Sequence, residues 1–110
     1  MTEIQEMNQL ELQEMLESEG RPFAAFLYTP LCGTCKAARR MLEVAAHMLP
    51  GEFVLGSANV NMLPDIVNRY RISSVPALMV VSADRNSEPE IYYSMGSVER
   101  MLEYIRRVTS

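Results

Sequence analysis

The chain contains two cysteines, Cys32 and Cys35, with two residues between them inside "FLYTPLCGTCKAARRMLE". Thiols at that spacing can fill a core as small hydrophobes, supply part of a zinc site, or open and close a disulfide. A structural zinc needs four ligands. Beyond the two sulfurs the chain offers one histidine, His47, several turns further along the same predicted helix. Carboxylates or a second copy of the chain would have to complete such a site, so no metal is expected. His47 itself reads as a solvent-facing residue near a helix end.

If Cys32 opens a helix and Cys35 lies one turn further, their Cα atoms stand roughly 5 Å apart, within the range of an unstrained disulfide. Gly33 is expected to relieve crowding between them. Unpaired N–H groups and the dipole at a helix N-terminus favour a thiolate at Cys32, and Lys36 adds positive charge nearby. Cys35, deeper and among apolar neighbours, is expected to keep its proton longer. That asymmetry suits two-step exchange: Cys32 attacks a target disulfide, a mixed disulfide forms, and Cys35 attacks Cys32 to release the reduced target. A pair of buried fillers stays open as the alternative.

The elements that must position the pair follow from pattern. Ile4, Met7, Leu10, Leu12, Met15 and Leu16 recur at helical spacing and predict an amphipathic first helix, stopped by Gly20 and Pro22. "PFAAFLY" is apolar on both faces and too short for a helix, which suits a central strand. Good helix formers run from Gly33 to Met48, ended by Pro50–Gly51. "EFVLGSANV" reads as a strand, "LPDIVNRYR" as a short helix with Pro64 in its first turn, and "ALMVVSA" as a second doubly apolar strand. After the turn-rich "DRNSEP" come a last strand, "EIYYSM", and an amphipathic helix, "SVERMLEYIRRV", with Ser97 as its cap. The predicted order is αβαβαββα, an α/β chain with a central mixed sheet and helices on both faces, forming one domain over 1–110.

Composition narrows the partners. At 110 residues and 48% apolar the chain can bury one core without staples. A formal net charge of −4, with no basic cluster beyond Arg39–Arg40 and Arg106–Arg107, argues against nucleic acid. Those arginines read as solvated helix surface. The polar, acidic N-terminal stretch lacks the features of a secretory signal, and no run is apolar enough to span a membrane. A cytoplasmic location is expected, where a permanent structural disulfide would be unusual. The nine methionines read as core filler, with Met7, Met15, Met41, Met48 and Met101 at predicted helix positions.

"FLYTPLCGTCK", followed by "SSVPALMVV" and "YYSMG", resembles the thioredoxin family over nearly the whole chain. The resemblance implies a thioredoxin fold and a protein-disulfide reductase acting on disulfide-containing proteins or low-molecular-weight thiols. It further implies a monomer without cofactor, recharged by a reductase as electron donor. Cys32 would be the attacking thiol and Cys35 the resolving one, with Val75–Pro76 as a cis-proline element facing them. Such a bond at the start of a strand would turn the Val75 backbone toward the cysteines, free to pair with an extended peptide. The other reading of Pro76 is an ordinary strand-initiating proline. Leu31, Gly33, Thr34, Val75, Pro76 and Gly96 would then surround the thiol as a shallow apolar dock, though Gly96 also reads as a bare turn before the last helix.

The pattern breaks at several places. Leu31 stands where the family has tryptophan, and Thr34 stands where it has proline. Thr34 returns a donor and a hydroxyl beside the thiols and is expected to alter the potential and the thiolate stability. The family's buried acid maps to Phe26 and its lysine partner to Ser57, so neither charge that assists proton transfer at the resolving cysteine is expected here. The interior should be drier and release of the mixed disulfide slower, with Tyr28, Thr34 or a water as proton shuttle. The same gaps motivate a second reading, a redox-inactive binding or adaptor domain that keeps the fold.

Overall fold

Phe23–Tyr28 forms the central strand that its doubly apolar composition predicts, and the rest of the molecule is arranged about it. The computed structural model describes residues 2–109. In chain order the elements are β1 (Ile4–Glu6), α1 (Gln9–Glu17), β2 (Phe23–Tyr28), α2 (Gly33–Ala46), β3 (Val54–Asn59), a 3-10 turn (Val60–Met62), α3 (Pro64–Tyr70), β4 (Ala77–Val81), β5 (Glu90–Tyr92) and α4 (Val98–Thr109). The five strands form one sheet in the order β1-β3-β2-β4-β5. β1 and β2 both run parallel to β3, whereas β4 is antiparallel to β2 and to β5. The mixed sheet is the expected one.

The beginning of the chain departs from expectation. Ile4–Glu6 is a strand, not the first turn of a helix, and Asn8 caps the helix that follows through a reciprocal capping box with Glu11. The order is therefore βαβαβαββα. Ile4 and Met7 fit a helical spacing by coincidence: Ile4 packs on one face of the sheet, and Met7 belongs to the core on the other. The amide of Met7 continues the ladder by donating to the Ser57 carbonyl at 2.8 Å.

Alternation along β2 divides the interior in two. Ala24, Phe26 and Tyr28 face α2 and α4, whose Ala38, Leu42, Met101 and Ile105 pack against them. Phe23, Ala25 and Leu27 face α1 and α3 through Leu12 and Ile66. Each large apolar side chain buried in these layers stabilises the fold by about 1.5–3 kcal/mol, so the end of β2 is held firmly from both sides. Pro64 occupies the first turn of α3, and the Ser97 hydroxyl caps α4 by accepting from the Arg100 amide at 3.0 Å. The methionines divide: Met7, Met79, Met95 and Met101 are buried, whereas Met48 and Met62 are exposed.

Candidate active site

β2 ends at Tyr28, and after a short turn Cys32 becomes the N-cap of α2 rather than a residue of its first turn. The Cys32 carbonyl accepts the first helical bond, from Lys36, while its sulfur accepts from the Cys35 amide at 3.1 Å. A sulfur thus fills the place an oxygen-bearing cap ordinarily takes. Thr34 Oγ1 lies 3.4 Å from the same sulfur. Cys32 and Cys35 are joined as a disulfide, with Cα atoms 5.2 Å apart.

The two sulfurs differ in access. Cys35 is 3% exposed and belongs to the core beneath α2, whereas Cys32 is only half-buried at its edge. A Cβ at Gly33 would meet no atom within 4 Å beyond its chain neighbours, so its bare position leaves the rim of Cys32 open. Leu31, 99% exposed, places a large apolar side chain in water next to the reactive pair.

The remaining dock residues come from the segments that precede β4 and α4. The Val75–Pro76 peptide is cis, and the half-buried Val75 packs against the core cluster that holds Cys35 and borders Cys32. Gly96 lies in open space between β5 and α4, without the positive φ that would demand glycine, while its neighbour Met95 is anchored in that cluster. Leu31, Cys32, Gly33, Thr34 and Cys35 are thus grouped by the β2–α2 junction, and Val75 reaches the same cluster. His47 caps the C-terminal end of α2, exposed and remote from the pair.

Sequence reasoning named Tyr28 as a possible proton shuttle but missed the cleft beside Cys35 and the place of Arg39 in its wall. This cleft, of about 230 Å³, is lined by Phe26, Tyr28, Thr29, Cys35, Lys36 and Arg39 among others. Arg39 is not free surface. Its guanidinium donates to the buried Ser57 hydroxyl at 3.1 Å and pairs with Glu43 at 3.6 Å. A cation therefore does stand at Ser57, supplied by α2 instead of by β3. Opposite it, the Tyr28 hydroxyl donates to Glu6 on β1 at 2.7 Å. Burial raises the Tyr28 phenol above its ordinary range, the bond to Glu6 pushes the same way, and Arg39 opposes both. Phe26 stacks on Tyr28 with ring centroids 6.2 Å apart. The helical spacing of Arg39 from Cys35 was the one signal in the sequence that places a cation on the same face as the thiol.

Comparison with known proteins agrees with this geometry. A family model described as Thioredoxin matches residues 3–107. The thioredoxin-like protein YusE of Bacillus subtilis (strain 168) is 34% identical over 104 residues, covering 94% of this chain and 95% of that protein. Chloroplastic thioredoxin z superposes with a TM-score of 0.81 at 17% identity, over 99% of this chain and 96% of its own. A Schistosoma mansoni thioredoxin pre-protein in its reduced form gives 0.79 at 16% identity, over 97% and 99%. At such identities the two structures speak to the fold alone, which is the thioredoxin fold.

Proposed function

This chain belongs to the thioredoxin family, and from that premise we propose that it reduces disulfides in proteins or low-molecular-weight thiols through a reversible Cys32–Cys35 couple. A thiol–disulfide oxidoreductase is the coarse statement, and reduction is the finer reading. The observation that carries it is the asymmetry of the pair: an accessible sulfur capped by an amide at the start of α2, bonded to a partner that is 3% exposed. In the reduced protein the Cys32 thiolate attacks one sulfur of the target disulfide. The target's S–S bond breaks, its other sulfur leaves as a thiolate that takes a proton from solvent, and a Cys32–target disulfide forms. Cys35 then loses its proton and attacks Cys32 Sγ, which forms the internal disulfide and expels the second target sulfur. Two electrons pass from the dithiol to the target, and a cellular reductase returns them.

Leu31, Gly33, Thr34, Val75, Pro76 and Gly96 would provide the dock, with Leu31 as its apolar anchor. The proposal places the chain in the cytoplasm, as a single monomeric domain. Its test is the reduction of insulin disulfides with dithiothreitol as electron source. Wild type is expected to accelerate precipitation of the insulin B chain and Cys32→Ser to abolish the acceleration; equal rates for the two would overturn the reading.

A further inference from the structure

The cleft beside Cys35 contains what the second exchange step needs, a route for a proton away from a buried thiol. Cys35 is 3% exposed, so it cannot hand its proton directly to bulk water. The groups around it are unequal to the task. Lys36 and Arg39 line the cleft as cations that donate and offer no acceptor. Thr34 has its hydroxyl turned to the Cys32 sulfur at 3.4 Å, and among the described residues the Thr29 hydroxyl makes no hydrogen bond to a carboxylate. Tyr28 lines the cleft with its hydroxyl hydrogen-bonded to the exposed Glu6 carboxylate at 2.7 Å. A cleft of about 230 Å³ holds several waters, each occupying about 30 Å³ in the liquid, so one can bridge Cys35 and Tyr28.

We propose that Tyr28, braced by Phe26 and backed by Glu6, is the relay through which Cys35 is deprotonated during release of the mixed disulfide. The inference rests on the exchange reading above. The Cys35 proton passes to the bridging water as that water gives a proton to Tyr28 Oη, while the Tyr28 hydroxyl proton moves to Glu6. The phenol stays neutral throughout, in keeping with its raised titration range. Cys35 then forms the bond to Cys32 as the Cys32–target bond breaks. The target thiolate takes a proton from solvent, and Glu6 returns one to it. Arg39, fixed by Ser57 and Glu43, holds positive charge at the cleft wall where the Cys35 thiolate forms. Around the thiol the charged groups are thus Glu6 from β1, Lys36 and Arg39 from α2, and Glu43 behind Arg39, with Tyr92 and Tyr104 as the other phenols of the same core cluster.

The relay is tested by reacting the reduced full chain with the chromogenic disulfide of thionitrobenzoate and following two releases of thionitrobenzoate by stopped flow. The first release reports attack by Cys32 and the second resolution by Cys35. Tyr28→Phe is expected to keep the first phase and slow the second at least ~10-fold at neutral pH. The deficit should narrow only as pH rises well above the ordinary thiol value near 8.5, because a buried Cys35 keeps its proton longer than a free thiol and ionises unaided in more alkaline solution. Glu6→Gln, at an exposed position, should slow the same phase with the same pH dependence, and it decides the matter if Tyr28→Phe does not fold. Second phases equal to wild type at every pH, or slowed by one constant factor at all pH, would overturn the relay and leave the exchange reading intact. A wild type without a second release would instead remove the exchange reading and the relay with it.

Discussion

Arg39 on α2 and Ser57 on β3 meet guanidinium to hydroxyl at 3.1 Å, a bond that joins the helix carrying the cysteines to the strand beneath it. The two ends are unequally dependent on it. Ser57 is 1% exposed and finds its side-chain partner in Arg39, whereas Arg39 is 37% exposed and has water within reach. Arg39→Met is therefore expected to cost about 1–3 kcal/mol by stranding a buried hydroxyl, and Ser57→Ala less, about 0.5–1.5 kcal/mol. Urea unfolding of both variants and their double mutant checks this; an Arg39→Met chain as stable as wild type would show that the bond does not form in solution.

The Thr34 hydroxyl, 3.4 Å from the Cys32 sulfur, is placed to donate to a thiolate and has less to offer a thiol. Thr34→Val should lower the thiolate fraction and slow alkylation of the reduced protein by iodoacetamide at neutral pH. The expected effect is up to ~5-fold, equivalent to about 1 kcal/mol of lost hydrogen bonding. Identical rates would mean that the Thr34 hydroxyl does not stabilise the thiolate.

Stability should fall in alkali through two named phenols. Burial raises Tyr28 and Tyr92 above the ordinary tyrosine range, and their hydroxyls' bonds to Glu6 and Glu90 add to the effect. Above the ordinary value near 10 the unfolded chain sheds protons that the native chain retains. The stability from these groups is thus complete below that pH and is lost as pH rises through the raised native range. The urea midpoint of wild type is expected to fall more steeply between about pH 9 and pH 11 than that of a Tyr28→Phe, Tyr92→Phe double variant.

Gly56 is a packing position rather than a turn. A Cβ on it would stand 2.9 Å from Met7 Sδ, inside any real contact. The obstacle is the far end of a flexible side chain, so Gly56→Ala is expected to destabilise by no more than about 1 kcal/mol as the thioether shifts. Met7→Ala removes the obstacle at its own packing cost, so the double variant should lose less than the sum of the single ones. Strict additivity in denaturant midpoints would show that the thioether moves aside freely.

Readability from sequence followed contact range. The β2–α2 junction was legible because its determinants are local: a doubly apolar strand, a turn, and two cysteines on one helical turn. β1 was not, because three residues are too few to establish a period of two, and Ile4 and Met7 sit at a helical interval by chance. Asn8 followed by Glu11 was the overlooked signal, since an N-cap at Asn8 excludes Ile4 from the helix. The walls of the cleft were hidden for a different reason. Arg39 reaches Ser57 and Tyr28 reaches Glu6 across 18 and 22 residues of sequence, and each partner alone reads as ordinary surface or ordinary strand. Mapping the family's acid and lysine onto Phe26 and Ser57 said nothing of a cation arriving from another element.

β1 is an edge strand of three residues, yet it carries the carboxylate that holds the Tyr28 hydroxyl. Fraying is fastest at such margins of a sheet. Each transient detachment of Ile4–Glu6 withdraws Glu6 from Tyr28 while the sulfurs and the helix beneath them stay in place. On the proposed relay, amide hydrogen exchange at the margin and turnover at the buried thiol become two readings of one local equilibrium.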